Sequence, residues 1–276
     1  MRLLVSVLIG LGVCVLVAAI ALRFFHSRGV AKIEEAYAAA RIESAGGRFD
    51  VASLEALPPP ARRWLAFAIA DGTPLAGSVE LEFTGRLRLS PDTPWEEARS
   101  SHVVAADRYV WRSAIDSNEI ELDANELYAG GRGEIRLWMH GFLPSGGDGQ
   151  DLDRSLRGRL VLDRIFLPTS LLPGPNVRWE PIDDARATAA VEIDGESIRL
   201  EVTVADDGAL VAAKVRRWSH RTSDGVHAEV PYGVTVLSHR EVDGRRLPAA
   251  ARFAWWHGTD REEPFFEPIL ESATFR

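Results

Sequence analysis

A chain of 276 residues, 46% hydrophobic and 26% charged, is long enough to bury one sizeable core and does not call for several domains. Four of its 32 basic residues, Arg2, Arg23, Arg28 and Lys32, precede the first carboxylate, so 28 basic residues face 40 acidic ones in the remainder, a balance of −12. That balance excludes nucleic acid as a partner class, and a single cysteine, Cys14, excludes an internal disulfide.

In chain order, the run from Leu3 to Leu22 carries no charge and matches the roughly 20 residues a bilayer-crossing helix needs. It exceeds the roughly 7–15 residues of a signal-peptide core, so residues 1–29 are read as a single-pass anchor, with a cleaved signal ending near Ala21 as the rival. The flanking Lys and Arg lean toward a cytoplasmic domain, a rule that large domains behind single anchors override, and the domain is placed outside the cytoplasm. Residues 30–57 are expected to be a juxtamembrane helix, "VAKIEEAYAAARIESA", followed by a linker opened by "GGRFD". A second helix is expected in "PPPARRWLAFAIADG", burying Trp64, Leu65, Ala68 and Ile69.

From residue 79 the period changes to two. In "VELEFTGRLRL" the residues Val79, Leu81, Phe83, Leu87 and Leu89 alternate with charged or polar ones, and Leu200 and Val202 do so in "ESIRLEVTVA". Ten to twelve such strands with short turns predict a mainly β fold over residues 58–276: one large antiparallel sheet curled into a barrel or half-barrel with one or two packed helices. "SGGDGQ", residues 145–150, is read as a loop and "GGRG" as a hairpin turn.

"DLDRSLRGRLVLDRI" spaces Leu156 and Leu160 four residues apart and sets Asp153 opposite Arg157 and Arg159 opposite Asp163, an amphipathic helix inserted between strands. Pro168, Leu171, Leu172, Pro173 and Pro175 then make a stiff apolar corner before "VRWEPIDD". The helix, the "FLPTSLLP" corner and "VRWEPIDDARATAAV" together resemble a bacterial family catalogued as a domain of unknown function. Arg159, Pro168, Leu171, Leu172, Trp179, Glu180, Ile182, Asp183 and Asp184 match its motifs; Leu160 replaces its Tyr, Asp163 its Glu, and Phe166-Leu167 its Trp-Phe. "LRLSPDTPWEEARSSH" and "GRGEIRLWMHG" extend the likeness over roughly residues 58–275. The resemblance implies a membrane-attached β-rich domain and supplies no activity.

No His pair has metal-ligand spacing, no Gly-x-Ser-x-Gly occurs, and no cofactor motif stands out. Three functions are therefore weighed. The first, by analogy with the architecture of LolA-type lipoprotein carriers, is a concave apolar face that holds a lipid through Phe83, Leu87, Trp111, Leu137, Leu200, Val202 and Phe253. The second is a solid-cored scaffold that meets an envelope protein through Trp255 or Trp256. The third is an enzyme whose site gathers Arg159, Asp163 and Asp183, with Pro168 and Trp179 as further motif positions.

Overall fold

A computed structural model describes residues 2–116, 121–140 and 143–276. Residues 119–120, where a strand was expected to begin, and Gly141, which closes one family-like segment, lie outside the described residues. The first helix, α1 (Arg2–Ala40), is unbroken: the apolar N-terminal segment and the helix expected after it are one element, which stops at Ala40 and not at Ala45. It is long and apolar enough to cross a membrane, by length and composition. Its last turns are not a free linker. Ile33, Tyr37 and Ala40, spaced to share one helix face, form a small core with Val103, Val110 and Leu127, and the Tyr37 hydroxyl donates to Glu80 at 3.1 Å.

The second helix, α2 (Pro59–Ala68), opens on prolines and buries Trp64, Leu65 and Ala68, with Ile69 as its C-terminal cap. Thirteen strands follow among the described residues: β1 (Ser78–Leu87), β2 (Glu96–Ala105), β3 (Arg108–Asp116), β4 (Glu121–Ala129), β5 (Arg132–Met139) and β6 (Leu143–Asp148), then, after helix α3 (Gln150–Asp163), β7 (Val177–Pro181), β8 (Arg186–Ile193), β9 (Glu196–Val204), β10 (Leu210–Ser219), β11 (Ala228–Val242), β12 (Arg245–Trp255) and β13 (Glu263–Phe275). They form one antiparallel sheet in the order β6-β5-β4-β3-β2-β1-β13-β12-β11-β10-β9-β8-β7. Two meanders are thus joined where the last strand pairs with the first, and β6 and β7 remain as edges. The mainly β, antiparallel expectation holds, and of its two forms, barrel or half-barrel, the closed barrel is not formed: the sheet is open.

It is nonetheless strongly curled. Helix α3 packs against both β5 and β10, which lie eight strand spacings apart in the sheet order, about 38 Å if the sheet were flat. A helix about 10–12 Å across can touch both only if the sheet wraps round it. The turn tips meet as well, since the Tyr128 hydroxyl on β4 donates to Asp194, between β8 and β9, at 2.6 Å. Inward residues fill this curl. The register sets Leu81, His102, Trp111, Glu126 and Ile135 side by side on the inner face of five neighbouring strands.

The end at which β1 begins is sealed. Ile69 bridges to Arg245, Ala70 N–H donates to Gly244 at 2.9 Å, and Arg63 donates to the Asp184 carbonyl at 2.6 Å, so α2 covers this end. The stiff corner completes the seal: Arg164 donates to the Ala106 carbonyl and Thr169 to that of Ala76 at 3.2 Å. Pro168 is buried in the 3-10 turn that follows α3.

Two local expectations are corrected. "SGGD" belongs to strand β6 and is not a loop, because its pairing with β5 uses backbone groups alone. Gly146 there has φ 110°, and a Cβ would stand 2.2 Å from the Ile135 carbonyl oxygen, a position only glycine fills. Asp153 does not pair with Arg157. It accepts from the Gly133 N–H at 2.7 Å, while Arg157 donates to the Tyr128 hydroxyl at 2.9 Å.

Candidate functional site

At the opposite end of the curl lies a cavity of about 300 Å³. Its walls are Phe83 and Leu87 from β1, Trp111 and Ile115 from β3, Leu137 from β5, and Phe253, Trp255 and Phe266 from β12 and β13. Partly exposed residues, among them Leu89, Trp218 and His227, surround the mouth. His102, Asp163 and Phe166, each no more than 3% exposed, mark its inner end.

That inner end is charged. Along α3, Ser155, Arg159 and Asp163 stand four residues apart, on the face turned toward the cavity. Arg159 donates through Nε to Asp163 at 3.2 Å and through Nη1 to Glu126 of β4. Arg217 of β10 donates through Nε to Ser155 Oγ at 3.0 Å, with its Nη2 4.0 Å from Glu126. The Tyr109 hydroxyl also donates to Glu126, at 3.3 Å. Aromatic faces cover both guanidinium groups: Trp111 lies 4.8 Å from Arg159, and Tyr232 and Trp255 lie 4.6 and 4.7 Å from Arg217.

Burial sets the protonation here. It pushes the Asp163 carboxyl up to about 6 against the pull of Arg159. Burial also opposes the Glu126 charge, but Arg159 and Arg217 outweigh it and bring that carboxyl below its ordinary value. His102 is driven well below the usual imidazole range by burial and then by Arg159, so it is neutral. Burial first, then Glu126, raises Tyr109 well above the usual phenol value. Two atoms in the cavity wall, Trp111 Nε1 and His102 Nε2, have no hydrogen-bond partner among the described residues; His102 Nε2 is 3.5 Å from Asp163 Oδ2. A buried polar group left in this way costs about 1–3 kcal/mol, and a ligand with acceptor atoms removes that cost.

The sequence-predicted positions divide clearly. Phe83, Leu87, Trp111, Leu137, Phe253, Arg159 and Asp163 line the cavity. Leu200 and Val202 are wholly buried core residues and do not line it. Trp179 holds the corner, donating to the Leu171 carbonyl at 2.9 Å and meeting Trp64 edge-on. Asp183 sits in the exposed turn between β7 and β8, accepting from the Ala185 and Arg186 N–H groups and pairing with Arg186, so it does not join Arg159 and Asp163. Trp255 faces the cavity, and Trp256, with φ 54°, packs beneath Arg261 and donates to the Arg221 carbonyl at 3.0 Å.

Glu126, Arg217 and His102 escaped the sequence reading, although each falls in phase with buried neighbours: Leu122, Ala124, Glu126, Tyr128; Ala213, Val215, Arg217, Ser219; and Ala98, Ser100, His102, Val104. A charge in the apolar phase of a two-residue period was the available signal.

No curated protein matches the chain. The family model that does match spans residues 47–267 and so includes every cavity-lining residue except Pro268. The chain belongs to that family, the family of unknown function DUF6544.

Proposed function

We propose that this protein is a membrane-tethered binding domain for a small amphiphile, with an apolar chain in the aromatic neck of the cavity and a polar head at Arg159, Arg217, Trp111 and His102. The observation that carries the reading is a cavity with apolar walls whose inner end holds buried cations and two unpartnered ring nitrogens, one of them the Trp111 N–H donor. An apolar cavity with a few convergent polar groups is the usual form of a small-molecule site. Each methylene moved from water into such walls contributes about 0.8 kcal/mol, so a chain of moderate length gives useful affinity. The apolar helix α1 supports residence at a membrane, where amphiphiles are concentrated. The analogy with LolA-type carriers is one of architecture, and supports a ligand on the inner face without naming it.

A scaffold reading needs a filled interior and an exposed tryptophan corner, and neither is favoured by the cavity or by the packing of Trp256. An enzyme reading built on Arg159, Asp163 and Asp183 lacks the third group. The test is energy transfer from tryptophan to a fluorescent long-chain polyene carboxylate added to the full-length protein in detergent. Saturable transfer that falls when Trp111 and Trp255 are replaced by Phe supports the site; transfer no greater than to empty micelles overturns it.

A further inference from the structure

Helix α1 runs down the outside of the sheet in a fixed direction. Its C-terminal end lies beside the start of β1, where Ser78 Oγ donates to the Ile42 carbonyl at 2.9 Å and Arg41 pairs with Glu80. Toward its N-terminus it follows β5: Lys32 pairs with Glu134, Gly29 lies against Arg136 and Trp138, and His26 meets the Trp138 ring edge-on at 4.7 Å. Residues 134, 136 and 138 advance along β5 away from the sealed end and toward the open one. The uncharged run that ends at Leu22 therefore continues past the open end of the sheet, only four residues, about 6 Å of helix, beyond the contact with Trp138.

From this direction, and resting on the proposed binding of an amphiphile, we propose that α1 holds the open end of the cavity toward the bilayer and that a single-chain amphiphile with a carboxylate or phosphate head passes from the adjacent leaflet into the cavity head first. A lipid in that leaflet already points its head at the domain. Moving along its own axis, it brings the head to Arg217, Trp111 and His102 at the inner end while the chain follows between Phe83, Phe253 and Phe266. No inversion of the molecule is needed. The Trp111 N–H, without a hydrogen-bond partner among the described residues, is a donor beside the Arg217 guanidinium, and the two together select an acceptor-rich head. A cavity of about 300 Å³ admits one chain more readily than two. Leu89 at the mouth, just beyond β1, and Leu143, the first residue of β6, are exposed apolar residues, 55% and 42% accessible, and both stand at the open ends of their strands.

The test uses the full-length chain with Cys14→Ala, reconstituted in zwitterionic vesicles. A fluorophore is placed at Leu143→Cys, at Leu89→Cys or, at the sealed end, at Asp207→Cys, and quenched by lipids that carry nitroxides on their headgroups. The proposal expects strong quenching at 143, weaker quenching at 89 and none above the soluble-quencher background at 207; equal quenching at all three, or the reverse order, overturns it. This readout needs no ligand, so it can succeed even if amphiphile binding fails. A second arm follows uptake of the polyene carboxylate, either preloaded in the same vesicles or added to the solution around empty ones. Uptake from vesicles that falls at least tenfold in Arg217→Ala and is little affected in Arg178→Ala, an exposed arginine of β7, supports head-first loading. Correct orientation with no uptake overturns the amphiphile and leaves the orientation standing; uptake from solution at the rate seen from vesicles overturns loading from the leaflet.

Discussion

Arg217 on β10 and Glu126 on β4 stand 4.0 Å apart, although seven strand spacings, about 34 Å in a flat sheet, separate their strands in the sheet order. The pair therefore reports the curl itself. Antiparallel sheets of more than about ten strands tend to curl or close, and here α3 occupies the space in which a closed barrel would have paired its edges.

Removing Glu126 leaves Arg159 and Arg217 buried beside each other with only Asp163 to balance them. One-sided loss of a buried ionic partner costs about 3–5 kcal/mol. Glu126→Ala is therefore expected to lower the urea midpoint of the full-length protein in detergent substantially, and Glu126→Gln, which keeps an acceptor, is expected to lower it less. Equal stability of the wild type and the Ala variant would show that water already reaches the cluster.

Asp163 gives a signed pH dependence. Its carboxyl is raised from 3.8 to about 6 in the folded chain, so between those values the folded state holds a proton that the unfolded state has released. Stability contributed by this group is greatest below about pH 4 and is lost as pH rises through about 6. The thermal midpoint of the wild type, relative to Asp163→Asn, should accordingly improve between pH 7.5 and 4.5. A constant difference across that range would refute the buried carboxyl.

The same carboxyl couples to the ligand. Arg159, Arg217, Glu126, neutral His102, Tyr109 and Tyr232 face it, and an added anionic head disfavours its charge. Affinity for an alkyl sulfonate, whose head stays charged, is expected to rise as pH falls from 8 to about 6, by no more than roughly tenfold per unit for one proton, and to level off below 6. Isothermal titration in two buffers of different ionisation enthalpy checks this by counting the proton taken up.

Leu160 is fully buried in the last turn of α3, the element around which the sheet wraps. Leu160→Ala is expected to cost about 2–5 kcal/mol, measured by denaturant unfolding. Ile33→Ala, in the small core beneath α1, should instead free the helix locally: trypsin cleavage at Lys32 and Arg41 should accelerate while the midpoint of the main domain changes little.

The sheet was legible in the sequence because its strands repeat a two-residue period, as Val79, Leu81 and Phe83 do. The curl was not, since it arises from strand number, twist and a helix that touches strands far apart in the order. Strand β6 carries no hydrophobic signal, because its six residues are exposed and pair through the backbone alone. The docking of α1 was written in Ile33, Tyr37 and Ala40, but an Ala-rich helix after an apolar run reads as its plain continuation until its partners Val103, Val110 and Leu127 are known. Of the site, the i,i+4 pair Arg159 and Asp163 was visible as a local spacing. Glu126 and Arg217 arrive from strands about 90 residues apart in the chain and converge only when the sheet wraps.

Native mass spectrometry of the gently extracted full-length protein, with organic extraction of whatever travels with it, tests amphiphile binding most directly. A stoichiometric single-chain species with a carboxylate or phosphate head, present in the wild type and absent from Arg217→Ala that retains its folded mass and cooperative unfolding, is the expected result. A protein that stays empty when offered such molecules, or that carries the same species equally well without Arg217, would contradict the account.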